Sequence, residues 1–242
     1  MTGVENTTWR ADALRAARHL SRGMWAGILC GIVVGGIGGR LAMLLLRVTS
    51  DPSLRGRVTD DQFRIGSITS STMFLVLLCA VAGMLGGLFY LAVRGWLPER
   101  IRPFAIATFG GAFGGAVVIH PGGVDFTQLD PLALAVAMFI ALPALYGLAL
   151  SWLAERLLAR SERGRASTSI ISFLPLLGIG LAGPIGLLLL GAIGGGWVAD
   201  RKGAPLERAW HSGPGTWLGR GVFAGVTAFA LFALMRDITA VL

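Results

Sequence analysis

The chain has 242 residues, of which 54% are hydrophobic and 14% are charged, and its mean hydropathy is +0.71. Soluble domains carry about 25% charged residues, so this composition excludes an ordinary soluble domain and predicts an integral membrane protein. The net charge of +8 could suggest nucleic-acid binding, but the basic residues flank apolar segments, as they do in membrane proteins. We therefore expect the lipid bilayer, and no nucleic acid, as the partner of this chain.

Residues 7–21 form the first predicted element, a short amphipathic helix whose arginines bind the anionic cytoplasmic membrane surface. A solvated tail is the alternative. Residues 1–22 are too polar for a cleavable signal peptide, so we expect the first apolar segment to be retained.

Six segments are apolar and long enough to cross a bilayer, which takes about 20 helical residues. These spans lie near 24–46, 72–93, 103–120, 131–153, 173–198 and 216–235. The sequence therefore predicts an all-α integral membrane protein, a six-helix bundle that forms one transmembrane domain over residues 1–242. Pro103 suits the first turn of the third span. Pro175 and Pro184 predict that the fifth span is a kinked helix or a re-entrant hairpin.

Glycines recur every four residues along the first span, and residues at this spacing share one helix face. Such a stripe of small residues lets two helix backbones approach closely in lipid. We expect 23–39 to be the central seam of the bundle, packed against similar stripes of the second and third spans. These packing glycines are Gly23, Gly27, Gly31, Gly35, Gly39, Gly83, Gly87, Gly111 and Gly115.

Loop charges predict an orientation of the spans. The connection 120–130 has no arginine or lysine, which is typical of an outer loop. The two neighbouring connections and residues 1–22 are rich in arginine, which predicts cytoplasmic positions. With six spans, both termini are then cytoplasmic, and we expect a multi-pass protein of the plasma (inner) membrane.

Arg40 is the charged residue that lies well inside a predicted span. It can reach the outer interface along its aliphatic stem, where loop 47–71 predicts a small cap with a hairpin that turns at Asp60 and Asp61. Pairing with these carboxylates would anchor the cap to the bundle. The alternative is contact with a substrate or ion, together with Pro184 of the fifth span.

Two histidines, His120 and His211, fall on the predicted outer side. With Asp125 they could bind a divalent metal ion, although solvated loop histidines are the ordinary interpretation. Cys30 and Cys79 lie within spans, which favours packing over metal binding. The chain contains no nucleotide-binding, metalloprotease or serine-hydrolase motif, and we expect no cofactor.

A weak sequence repeat is found at the ends of the second and fourth spans. The second is followed by WLPER at 96–100, and the fourth ends in WLAER at 152–156. This pattern indicates either duplicated helical hairpins or the chance recurrence of Trp and Arg, which are common at membrane interfaces.

The spans contain few polar side chains, which favours a non-catalytic accessory or scaffold subunit that binds another membrane protein or forms a homo-oligomer. A small transporter or channel is the alternative, because of Arg40 and the proline-containing fifth span. A membrane enzyme with an outer His and Asp site is the third hypothesis.

Overall fold

The computed structural model describes residues 3–49, 70–119, 131–162, 173–179, 183–184, 191 and 212–241, and these residues contain helices and turns but no strand. The all-α prediction is confirmed for this part of the chain. The helices are α1 (Gly3–Cys30), a π-helical segment (Gly31–Gly38), α2 (Gly39–Thr49), α3 (Ser70–Val93), α4 (Arg102–Val118), α5 (Leu132–Glu162), α6 (Leu174–Gly178) and α7 (Gly213–Val241).

Four helical stretches of the described residues are long and apolar enough to cross a membrane, namely 11–46, 73–93, 132–160 and 213–240. The third predicted span corresponds to α4, which has 17 residues and carries Pro103 in its first turn. Much of the fifth span and most of the cap loop lie outside the described residues. The chain therefore has the helices of a membrane protein, and a total of six crossings stays a prediction.

The N-terminal region differs from its prediction. We expected a surface helix over 7–21 and a separate span from residue 24, but α1 continues from Gly3 to Cys30 without a break. Among these residues, Arg15 and Asp12 form an exposed ion pair one turn apart. The amphipathic part is therefore an extension of the first span.

Helices α1 and α3 run antiparallel and touch through glycines. A Cβ atom on Gly27 would overlap the carbonyl oxygen of Gly83, and a Cβ atom on Gly87 would overlap that of Gly23. A Cβ atom on Gly31 would overlap the carbonyl oxygen of Cys79. The two backbones are thus in direct contact, which only glycine permits on both sides. We call this contact the α1–α3 seam.

The π-helical segment follows the part of α1 that lies in this seam. In an α-helix, residues four apart are about 40° out of line, so a strict four-residue stripe winds gradually off its face. A π-helix, with its i→i+5 bonds, has a wider turn that counters this drift. Gly35 consequently still faces Cys79, whose Sγ lies 3.1 Å from a Cβ atom built on that glycine, whereas no described atom lies within 4 Å of one built on Gly39.

Helices α4 and α5 form a second close contact. A Cβ atom on Gly147 would lie 2.6 Å from the carbonyl oxygen of Ile106, and one on Gly111 would lie 3.2 Å from the Ala144 methyl group. Gly115 faces Leu234 of α7, at 3.0 Å. This corrects the expectation that the stripe of the third span packs against the first span, because α4 meets α5 and α7 instead.

The two contacts share one apolar core. Its largest cluster draws buried side chains from five helices, among them Ala26, Tyr90, Ile106, Leu150 and Phe223. A smaller cluster joins Met24 and Met84 to Ile179, which directly follows α6. Helix α6 therefore rests on α1 and α3.

Helix α7 runs parallel to α4. Near its start, Arg220 donates a hydrogen bond from Nε to the carbonyl oxygen of Trp96, which lies in the turn before α4. Near its end, Leu234 packs on Ile119, just after the end of α4. At one end of the bundle, α3 and α5 finish and α4 and α7 begin. We call this end of the bundle the Arg94 end.

This direction corrects the predicted topology. The N-terminal half of α1 extends toward the Arg94 end, since α1 is antiparallel to α3, whereas α7 finishes at the opposite end. Among the described residues, the start of α1 and the end of α7 therefore lie at opposite ends of the bundle, and Glu162 and Gly213 both lie at the Arg94 end. The kinked helix and the re-entrant hairpin over 173–198 both stay predictions, since most of this segment lies outside the described residues. Gly183, which precedes Pro184, has a φ of 61°, a left-handed conformation that does not continue an α-helix.

We expect reporters fused to the two termini to lie on opposite sides of the membrane. With the orientation indicated by the loop charges, green fluorescent protein fluoresces at the N-terminus, and alkaline phosphatase is active at the C-terminus. The reciprocal pair of fusions serves as the control. Fluorescence from a C-terminal green fluorescent protein, equal to that at the N-terminus, would contradict the parallel α4–α7 arrangement.

Replacing Gly31 by leucine should prevent folding, because the new side chain would enter the backbone of α3 at Cys79. We expect a loss of more than about 3 kcal/mol of stability and no monodisperse peak in size-exclusion chromatography. The matched control is Gly39→Leu, which belongs to the same stripe but has no described atom within 4 Å of an added Cβ. Equal yields of both variants would show that the seam tolerates side chains.

Candidate functional site

The most concentrated polar group of the described residues surrounds Glu155 at the Arg94 end. Tyr90 donates its hydroxyl to Oε1 of this carboxylate at 2.7 Å, and Arg102 donates Nη1 to the same oxygen at 2.7 Å. Arg94 donates Nε to Oε1 at 3.1 Å and Nη2 to Oε2 at 3.0 Å. One carboxylate on α5 thus ties together α3, the following turn and α4. We call these four side chains the Glu155 cluster.

Local sequence explains why Tyr90, Arg94 and Arg102 lie close together. Tyr90 and Arg94 are one helical turn apart and share a face, and the Arg94 amide still bonds to the Tyr90 carbonyl oxygen at 2.9 Å. The chain then turns, and the amide of Arg102 bonds to the carbonyl oxygen of Pro98 at 3.0 Å. Arg102 also donates Nη2 to the carbonyl oxygen of Leu97 at 3.2 Å. The arginine that begins α4 is thereby held against the end of α3.

The electrostatics of the Glu155 cluster are those of a partly buried ion-pair network. The Arg102 side chain is 10% exposed, and the Glu155 side chain is 38% exposed. An arginine is rarely buried to this extent without a carboxylate, because desolvation of its charge is costly. The network holds two guanidinium groups and one carboxylate, so it carries a net positive charge.

The geometry favours a structural role over acid–base catalysis. Oε1 of Glu155 accepts three hydrogen bonds, and Oε2 accepts one from Arg94. A general base needs a free lone pair within reach of its substrate, and here the acceptor positions are largely occupied by neighbouring helices. The arrangement can hold helices in register and present positive charge at the surface.

Two tryptophan–arginine pairs flank the Glu155 cluster. The Arg156 guanidinium carbon lies 3.6 Å from the centroid of the Trp152 ring, and that of Arg220 lies 5.3 Å from the centroid of Trp217. Such cation–π pairs contribute about 0.5–1 kcal/mol each at exposed sites. Tryptophan and arginine together are typical of a membrane–water interface.

A second polar contact lies deeper in the bundle. The Tyr146 hydroxyl of α5 donates to the carbonyl oxygen of Gly83 in α3 at 2.8 Å, beside the α1–α3 seam. Pro143, one turn before Tyr146, interrupts the hydrogen bonding of α5. A Cβ atom on Gly38 of the π-helical segment would lie 3.1 Å from Leu142. Two irregular helical segments therefore face each other.

The sequence-predicted site residues do not converge in the described part of the chain. Arg40 lies half-buried in α2, directly after the π-helical segment, and its expected partners Asp60 and Asp61 lie outside the described residues. Pro184 is exposed. Pairing of Arg40 with the cap, and its contact with a substrate, both stay predictions.

The predicted metal site cannot be placed, since His120, Asp125 and His211 all lie outside the described residues. Within the described residues, no group of three or more His, Cys, Asp or Glu side chains could hold a metal ion. Cys30 and Cys79 are both free thiols, and a Cβ atom on Gly31 or Gly35 would meet Cys79. The two cysteines therefore lie at packed helix surfaces.

Sequence reasoning identified the position of Glu155 but missed its role. Glu155 is the fourth residue of the motif WLAER, and Glu99 occupies the same place in WLPER. Both motifs lie at the Arg94 end, but Glu99 is exposed whereas Glu155 binds two arginines. The signal was a carboxylate near the end of an apolar span, with Arg94 and Arg102 at the connection between α3 and α4, which lies at the same end of the bundle.

Comparison with protein-family models, with curated proteins and with solved structures finds no match.

Substituting Glu155 by glutamine should lower the free energy of unfolding by about 2–3 kcal/mol, because Arg102 is left buried without its counter-charge. This is less than the loss for a fully buried pair, since the carboxylate is partly exposed. Unfolding by a denaturing detergent in mixed micelles measures the change. Glu99→Gln, the matched substitution in the other motif, should change stability by less than about 0.5 kcal/mol. Equal effects of the two variants would contradict a stabilising role of the Glu155 cluster.

Proposed function

We propose that this protein is a non-catalytic accessory or scaffold subunit of the plasma membrane. The observation that carries the proposal is the Glu155 cluster, in which the polar groups bond to one another and join three parts of the bundle. A protein that moves a solute usually directs interior polar groups into a cavity, whereas these groups are engaged in helix–helix bonds. The tightly packed glycine contacts support the same function.

The orientation belongs to this proposal. The arginine-rich Arg94 end suits the cytoplasmic side, by the bias of basic residues toward that side. The N-terminus is then cytoplasmic, and α7 finishes on the outer side. The homo-oligomer and the membrane-protein partner are the two forms that such a subunit can take.

The lipid-facing helices offer broad apolar surfaces for a partner. Leu44 of α2, Leu78 of α3 and Phe229 of α7 are all exposed. Exposure alone is ordinary in a membrane protein, because lipid covers these side chains. Each of these three positions is therefore a candidate contact for a partner.

Tagged full-length protein, purified from its native membranes in a mild detergent, should carry another membrane protein at constant stoichiometry. A photo-crosslinking amino acid at Leu44, Leu78 or Phe229 should give one discrete adduct from at least one position. The same probe at buried Leu150 is the matched control, because no partner reaches the core.

A partner that stays at a fixed ratio across purifications would support the accessory function, and a self-adduct would assign the scaffold to a homo-oligomer. A monodisperse monomer without adducts at all three exposed positions would contradict the proposal.

A small transporter or channel is the second candidate, and the paired irregular segments favour it. Gly38 of the π-helical segment faces Leu142, which directly precedes Pro143, and both the π-helical segment and the proline interrupt regular helical bonding. Irregular backbone at membrane depth occurs where helices line a pathway or bend. Solute flux into vesicles that contain the purified protein would favour this candidate over the accessory function. The outer-face enzyme stays a prediction, since its three residues lie outside the described part of the chain.

A further inference from the structure

Arg220 is held in place at the membrane-facing surface of the Arg94 end. Its Nε donates to the carbonyl oxygen of Trp96 at 2.6 Å, which joins the start of α7 to the turn between α3 and α4. The Trp96 ring lies against Gly219, where any Cβ atom would overlap it. Trp217, one turn earlier, places its ring 5.3 Å from the guanidinium carbon. An otherwise flexible side chain is thus fixed before any ligand binds.

The outer side of this guanidinium is available. Among the described residues, Arg220 makes one hydrogen bond, through Nε, and its two terminal nitrogens make none. These nitrogens form a planar fork that matches two oxygens of a phosphate group. Arg94 and Arg102 differ in this respect, because their guanidinium groups bond to Glu155. Of these three arginines, Arg220 is therefore the one whose terminal nitrogens are available to an external anion.

An apolar surface continues from Arg220 along α7. Trp217 and Leu218 are 71% and 72% exposed, and Val222 follows one turn later at 55%. Gly221 and Gly225 follow Trp217 at four-residue spacing, and a Cβ atom on either would meet no described atom within 4 Å. This face lacks bulky side chains directly below the charged group. A ligand that combines a phosphate with a hydrocarbon chain fits both features.

The charge around this position attracts anions. Six arginines of the described residues from α3 onward lie at the Arg94 end, against three glutamates, and at the opposite end Arg236 is paired with Asp237. These arginines are Arg94, Arg100, Arg102, Arg156, Arg160 and Arg220, and the glutamates are Glu99, Glu155 and Glu162. Basic groups near a membrane surface attract anionic lipids by about 1 kcal/mol each.

We propose that Arg220, Trp217 and the adjoining face of α7 form a binding site for an anionic phospholipid. The terminal nitrogens of Arg220 bind the headgroup phosphate, the Trp217 ring flanks the headgroup, and an acyl chain follows Gly221 and Gly225. The site is independent of the accessory function, because a protein that binds no other protein can still bind this lipid.

Native mass spectrometry of the full-length protein in detergent tests the site, with phosphatidylglycerol as the probe and phosphatidylcholine as the zwitterionic comparison. We expect the wild-type protein to retain phosphatidylglycerol preferentially. Arg220→Gln should weaken that binding about fivefold, which corresponds to the loss of about 1 kcal/mol. Arg100→Gln is the matched control, since Arg100 is an exposed arginine at the same end that no tryptophan ring or carbonyl oxygen of the described residues fixes in place.

Arg220→Gln also removes the bond to Trp96, so its melting temperature and elution profile are measured alongside binding. If Arg220→Gln does not fold, Trp217→Leu tests the lipid site instead, because this substitution at an exposed position keeps the charge of Arg220 and removes only the Trp217 ring. We expect that variant to bind phosphatidylglycerol at least twofold more weakly.

Equal losses in Arg220→Gln and Arg100→Gln would overturn the proposal, since general surface charge would then explain the binding. Unchanged binding in the Trp217→Leu variant would also overturn it. Displacement of phosphatidylglycerol by millimolar inorganic phosphate would assign the site to a free anion and contradict the lipid. Retention of the lipid in that competition, with the expected losses in the variants, would support it.

Discussion

Direct contact between the backbones of α1 and α3 is the constraint on which the bundle depends. Lipid tails are as apolar as leucine, so helices in a membrane gain little from burying hydrophobic side chains against each other. They associate through close van der Waals contact, which is strongest where glycine removes the side chain. Gly27 and Gly83 bring the two backbones together, and α6 then packs on the pair near Met24 and Met84. The rest of the bundle joins this pair chiefly through α5.

The bundle has an ion-pair network at one end and irregular helical segments in its middle. At the Arg94 end, one carboxylate binds two arginines and a tyrosine from neighbouring elements. Deeper in the bundle, the π-helical segment faces the part of α5 that contains Pro143. The π turn keeps Gly35 against Cys79, which an uninterrupted α-helix with the same glycine spacing would carry out of line. Helix packing therefore explains the π-helical segment. The same segment is also the observation that favours the transporter hypothesis.

Much of the helical architecture could be predicted because it depends on local composition. Apolar length predicted the helices, and Pro103 predicted the beginning of α4. The direction of α7 could not be obtained in this way. Charge counts on connecting loops decide orientation by a small bias, whereas Arg220 and Trp96 are 124 residues apart and meet only in the fold. The same holds for Tyr90 and Glu155, which are separated by 65 residues.

The sequence by itself determined that this is a helical, glycine-rich membrane protein, because hydropathy and small-residue spacing act within one helix at a time. Only the tertiary structure decided which stripe meets which, since every glycine stripe is compatible with every other until side-chain volumes select the neighbours. Gly111 faces α5 because Ala144 leaves room there, and Gly39 of the first stripe meets no described atom within 4 Å. The Glu155 cluster likewise depends on the tertiary structure, because a carboxylate pairs with the arginines that lie near it in space.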